Sequence, residues 1–191
     1  MSDYESIHGT RVKYLTSDPT LDSSYEGQVW YNSTSGTNKG LVQIKATSSG
    51  GNMATARFGS AAGGAGPQSA SIFFGGATNT PGTSITAASE EYFGFSWFTT
   101  ANLNTARYYL SGFGTQSAAV AAGGFVTTNK SEVEEYNGSS WSEVNDIPTA
   151  GRSHGAAGTL TAGLIFGAAN SPQVKTFEYD GTNWTAGGDL N

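Results

Sequence analysis

The stretch Glu134-Glu135-Tyr136-Asn137-Gly138-Ser139-Ser140-Trp141 reads EEYNGSSW, and it does not stand alone. EEYFGFSW runs from Glu90 to Trp97, and FEYDGTNW from Phe177 to Trp184. Tyr92, Tyr136 and Tyr179 are spaced 44 and 43 residues apart, and Gly94, Gly138, Gly181 and Trp97, Trp141, Trp184 keep step with them. A period of this length marks a tandem structural unit, and the unit decides the fold. Asn137-Gly138 and Asp180-Gly181 are hairpin signals, for which a two-residue type I′ turn is expected. Tyr then ends one strand and Trp begins the next, so the two rings face each other across the pair.

Working outward from the hairpin, two more columns appear. Upstream lie Thr55-Ala56-Arg57, Thr105-Ala106-Arg107 and Thr149-Ala150-Gly151-Arg152, which read as an arginine column Arg57, Arg107, Arg152. Between the columns comes a short apolar run closed by small residues: Ile72 to Gly76, Ala119 to Gly124 and Leu164 to Ala169. Ser131 to Tyr136 and Gln173 to Tyr179 alternate as half-buried strands do. Each repeat thus predicts about four short strands. That count and period are those of a β-propeller blade.

Composition agrees. Of 191 residues, 27 are Gly, only 13% are charged and 12% are aromatic. Gly is costly inside helices, whereas the aromatics give sheets apolar area to bury. The net charge of −6 comes with no basic block, so no nucleic-acid partner is expected. There is no cysteine, hence no disulfide framework and no thiolate chemistry. The polar start MSDYESIHGT shows no secretory signal, and no apolar run suggests membrane insertion.

Chemistry-bearing residues are few. Glu91, Glu135 and Glu178 form a carboxylate column, but their period puts each on a separate repeat. Paired glycosidase carboxylates must lie roughly 5 to 9.5 Å apart, and nothing brings two of these together. The arginines are expected to fix neighbouring blades through carbonyls or glutamates. His8 and His154 lie far apart, with no metal-ligand spacing around them. No nucleophile elbow or phosphate loop is present. No catalytic residue, metal or cofactor is assigned. The loops Thr78 to Ala88, Thr127 to Ser131 and Ala169 to Gln173 are the candidate contact surfaces, because loops on a rigid scaffold carry function.

From Arg57 to Trp184 the pattern resembles the kelch repeat: an apolar strand ending in a glycine pair, then spaced Tyr and Trp, with Arg near the start. The first repeat departs from it at Phe93, and the last has Gly167-Ala168 for the glycine pair. The copper radical oxidases that share this fold need a cysteine crosslinked to tyrosine, which is absent here. The resemblance implies an all-β, partial kelch-like β-propeller. Its three four-stranded blades would span about 54–100, 101–147 and 148–191. Residues 1–50 are read as an N-terminal arm and hairpin, with Gln28 to Met53, including Leu41 to Ala46, as the outer half of a further blade. Three blades do not close a ring, since propellers have about 4 to 8. A homo-oligomer, dimer or trimer, is therefore expected.

The N-terminal phrase Glu26 to Lys39, EGQVWYNSTSGTNK, resembles the N-terminal segments of structural proteins of tailed phages, marine ones especially. That resemblance implies a non-enzymatic tail, fibre or decoration component of a virion, assembled in the host cytoplasm. Its partners would be other virion proteins and a host surface glycan. The competing readings are a soluble kelch-like carbohydrate- or protein-binding module of bacterial origin, and an enzyme whose site forms only between chains.

Overall fold

A computed structural model describes residues 13–19, 29–40, 50–169 and 173–191, and among them the chain is all-β. It divides into two compact units, residues 1–49 and 50–191.

The described residues of the first unit form a three-stranded sheet of β1 (Lys13–Leu15), β2 (Val29–Asn32) and β3 (Thr37–Gly40). β2 and β3 form the hairpin announced by WYN, and β1 adds alongside β2 in parallel. Asp18 ties the sheet together. Its carboxylate accepts Trp30 Nε1 at 3.0 Å, Asn32 Nδ2 at 2.8 Å and Lys39 Nζ at 2.6 Å. These bonds, that from Asn32 foremost, hold its acid down to about 2. Leu41 to Ala46, the expected second strand of this hairpin, lies outside the described residues, and β3 precedes it. The half-blade reading of Gln28 to Met53 falls partly on the same stretch.

The second unit contains three four-stranded antiparallel sheets, each a meander in chain order. They are β4 (Ala61–Gly63) to β7 (Trp97–Thr100), with β5 (Ser71–Phe74) and β6 (Ser89–Tyr92); β8 (Ser111–Thr115) to β11 (Trp141–Val144), with β9 (Ala118–Ala122) and β10 (Val133–Tyr136); and β12 (Gly155–Thr159) to β15 (Trp184–Ala186), with β13 (Ala162–Phe166) and β14 (Thr176–Tyr179). None is closed into a barrel. β8 lies between β4 and β12. These first strands are rich in Ala, Gly and Ser because the sheets crowd there. A Cβ on Gly112 would meet Phe74 Cζ at 2.7 Å, and one on Gly63 would meet Ala119 Cβ at 3.0 Å.

Two apolar cores follow, one between each pair of successive sheets. The first gathers Ile72, Phe74, Leu103, Leu110, Tyr136 and Trp141. The second gathers Phe113, Val133, Ile147, Ile165, Phe177 and Tyr179. Burial of aromatic and branched side chains at about 25 cal/mol per Å² is the main force joining the sheets.

The hairpins stand at the expected places, with Tyr92↔Trp97, Tyr136↔Trp141 and Tyr179↔Trp184 paired across them. The ring centroids in these pairs are 5.0, 5.1 and 4.6 Å apart. The turn is not the expected type I′. Four residues connect the strands, and only the glycine has positive φ: 85° at Gly94, 92° at Gly138 and 95° at Gly181. Asn137 Oδ1 accepts the N–H groups of Ser139 and Ser140, and Asp180 Oδ1 those of Thr182 and Asn183. These are Asx turns, and Asn137 and Asp180 lie outside the left-handed region, as does Phe93 at the same place in the first hairpin.

The arginine column breaks at its third member. Arg57 pairs with Glu90 and Arg107 with Glu134, each at 2.9 Å with both side chains at most 1% exposed. Both partners belong to the same repeat as their arginine, not to a neighbouring sheet. Two residues beyond these arginines the backbone turns left-handed, at Gly59 and Tyr109, and the third such turn is at Ser153. Gly151, not Arg152, therefore holds the arginine position in the third sheet. The glutamate position there is Phe177. Arg152 instead lays its guanidinium 4.4 Å from the centre of the Phe125 ring. A small recess of about 10 Å³ is lined by Thr149, Ala150, His154, Gly167, Lys175 and Phe177, the last at the glutamate position. A glycine and an aromatic ring thus stand where the other two sheets hold a buried ion pair, in keeping with the small net contribution of buried charge pairs.

Gly151→Arg alone, or Phe177→Glu alone, places an unpaired charge in the core, expected to cost about 3–5 kcal/mol. The double variant restores the pair of the other two sheets. Urea unfolding of the four proteins should give a favourable coupling of about 2 kcal/mol or more; strict additivity would contradict the assignment of Gly151.

Candidate interaction surfaces

The repeat's polar residues are consumed in two tasks. Within a sheet, the loop before the first strand is pinned to the third strand by the Arg–Glu pair. Arg107 Nη2 donates to Glu134 Oε1 at 2.9 Å, and Nη1 donates to the carbonyls of Gly123 at 2.9 Å and Glu132 at 2.5 Å. Glu134 Oε2 also accepts the Asn104 N–H at 2.6 Å, as Glu90 Oε2 accepts that of Ala54 at 2.7 Å. Burial pulls both guanidinium groups below their ordinary value, and the carboxylate opposite works against it. Arg57 is less well satisfied than Arg107: its contact with Glu90 is ionic, and its nitrogens have no hydrogen bond among the described residues.

Between sheets, a different glutamate acts. Tyr136 Oη donates to Glu91 Oε1 at 2.6 Å, and Tyr179 Oη donates to Glu135 Oε1 at 2.5 Å. In each case the tyrosine of one sheet reaches the glutamate of the sheet before it. The tryptophans repeat the step. Trp141 Nε1 donates to the Ala101 carbonyl at 3.1 Å, and Trp184 Nε1 to that of Asn145 at 3.0 Å. The conspicuous carboxylate column is therefore a hydrogen-bonding device. Burial first, and then the glutamate beside it, push the Tyr136 and Tyr179 hydroxyls above the ordinary phenol value.

His154 is packed beside Ser111, whose Oγ donates to the His154 carbonyl at 3.1 Å. Burial lowers its basicity. Among the described residues no group of three or more His, Cys, Asp or Glu is placed to hold a metal ion.

What faces outward differs between the sheets. In the first, the β6–β7 hairpin carries Phe93, Phe95 and Phe98, exposed by 46%, 70% and 52%. Phe93 and Phe98 meet edge to face at 5.6 Å. The equivalent positions hold Asn137, Ser139 and Ser142 in the second sheet, and Asp180, Thr182 and Thr185 in the third. Three phenylalanines in place of three polar residues make the first hairpin an exposed apolar patch. Among the expected contact loops, Thr78 to Ala88 is ordered by Asn79, whose Oδ1 accepts the Ser84 N–H at 2.7 Å. Part of Ala169 to Gln173 lies outside the described residues.

No protein-family model matches the chain, and no curated protein matches it.

The junction tyrosines set a pH dependence. Their folded-state pKa is raised above the unfolded value near 10, so their contribution is complete below pH 10 and is lost as pH rises through the raised value. The protein should lose stability steadily above pH 10, and the loss should shrink when Tyr136 and Tyr179 are both changed to Phe. Phenolate absorbance reporting all nine tyrosines ionised before the fold is lost would contradict this.

Proposed function

We propose that this chain is a non-enzymatic structural protein of a tailed-phage virion, a tail, fibre or decoration component. Its three sheets act as kelch-like propeller blades for assembly and for contact with the host surface. The observation that carries this reading is the repeated junction. The same Tyr-to-Glu and Trp-to-carbonyl bonds join the first sheet to the second and the second to the third. A module of this kind is a rigid platform made of interchangeable parts, and its ionisable groups serve that construction. The phrase Glu26 to Lys39, with its resemblance to phage structural proteins, supports the virion setting. Its described part, Val29 to Lys39, lies in the β2–β3 hairpin of the N-terminal unit, as suits an attachment element.

One observation favours a second reading, a soluble carbohydrate-binding module. Phe93, Phe95 and Phe98 offer exposed rings beside polar loops, and sugars stack on such rings.

Two experiments separate the readings. A virion component stays with density-purified particles through a high-salt wash, and mass spectrometry of those particles should detect it. Recovery only in the cleared lysate would overturn the virion reading. On a glycan array the free protein of the second reading binds. That binding should drop about tenfold or more in a Phe93→Asn, Phe95→Ser, Phe98→Ser variant, since ring stacking is worth about 1 kcal/mol or more per contact.

A further inference from the structure

Each junction has a donor side and an acceptor side, and the two outer sheets each present one half of a junction. On the third sheet, Glu178 occupies the position of Glu91 and Glu135 but is exposed, and its carboxylate has no hydrogen-bond partner among the described residues. Leu190 occupies the position of Leu103 and Ile147. All three donate their backbone N–H to the same place in the repeat, the carbonyls of Val174, Ala87 and Ser131. Leu103 and Ile147 are 4% and 2% exposed beneath the following sheet, whereas Leu190 is 46% exposed. On the first sheet, Tyr92 occupies the position of Tyr136 and Tyr179, yet its hydroxyl turns back to the carbonyl of Gly94, at 2.8 Å. Trp97 occupies the position of Trp141 and Trp184, and its indole N–H has no partner among the described residues.

We infer that the exposed face of the third sheet receives the first sheet of a second copy of this chain. Glu178 of one copy then accepts the hydroxyl of Tyr92 of the other, and Leu190 is buried. The inference rests on reading the sheets as successive propeller blades. The argument for this occupant is continuity: the missing partner of Glu178 is a tyrosine in a defined setting, and the chain carries that tyrosine, in that setting, at its other outer sheet. The contact is head-to-tail, so its geometry must close or run on as a filament. Two copies bring six sheets around one axis, within the range of about 4 to 8 that propellers use. Docking places Gly187–Leu190 of one copy where Gly50–Met53 of the other now sits, because both stretches occupy the same position in the repeat. Among the described residues, the latter is displaced at the loss of one backbone bond, Gly51 N–H to the Phe95 carbonyl.

Sedimentation velocity of the full chain over a concentration series tests this. A reversible two-copy species is expected. Glu178→Gln and Tyr92→Phe should each weaken association by about tenfold, the worth of a hydrogen bond to a charged group. The double variant should be no weaker than Tyr92→Phe alone, because both changes act on the same bond, one removing its donor and the other the charge of its acceptor. Leu190→Asp should abolish association. Glu178 and Leu190 are exposed, so these variants keep the fold, and unchanged tryptophan fluorescence verifies that. A one-copy mass at every concentration overturns the inference, as does association indifferent to all three substitutions. Retention on phage particles is a separate readout, so failure of the interface and failure of the virion reading are told apart.

Discussion

A tyrosine hydroxyl donated to the glutamate of the preceding sheet is the contact on which the second unit depends. It is made twice, by Tyr136 to Glu91 and by Tyr179 to Glu135, each time with the tyrosine at most 2% exposed. A glutamate so close to apolar rings would be costly unless satisfied, and a buried phenol would be costly without an acceptor. Each group removes the other's penalty, and the bond fixes where along the interface the two sheets meet. The apolar cores supply most of the attraction, but hydrophobic contact is not directional. The tyrosine–glutamate bond and the tryptophan indole beside it supply the register.

The Arg–Glu pair answers a different need. Loops before β4 and β8 carry backbone groups into the interior, where they require partners. Arg107 and Glu134 between them bond the backbone at Gly123, Glu132, Asn104 and Thr105. In the third sheet, Gly151 and Phe177 do without the pair, and the sheet retains its four strands. The pair is therefore dispensable to the sheet itself, as expected where desolvation offsets much of the Coulombic gain.

Most of this architecture was legible because it is periodic. The Tyr, Gly and Trp columns located three hairpins, and the apolar runs located β5, β9 and β13. What escaped did so for specific reasons. Thr149-Ala150-Gly151-Arg152 holds one residue more than its counterparts, and matching by residue type chose Arg152 over Gly151. The buried Glu90 and Glu134 drew no notice because Phe177 interrupts their column, while the unbroken Glu91, Glu135, Glu178 column drew all of it. The turn type was missed because Asn-Gly favours type I′ only in a two-residue loop, and here Asx bonding organises a longer one. β1 pairs in parallel with β2 across a separation that leaves no local pattern. The polar substitution pattern of the contact hairpin was partly visible at Phe93, but Phe95 and Phe98 gain meaning only once their equivalents in the other sheets are aligned in space.

The decisive measurement is a double-mutant cycle on Tyr136→Phe and Glu91→Gln, read as the free energy of unfolding. If the hydroxyl–carboxylate bond sets the junction, the two changes should couple by about 1.5–3 kcal/mol, the range for a hydrogen bond to a charged group. Independent, additive effects would mean that the hydroxyl–carboxylate bond does not set the junction, and the account of its register would fail.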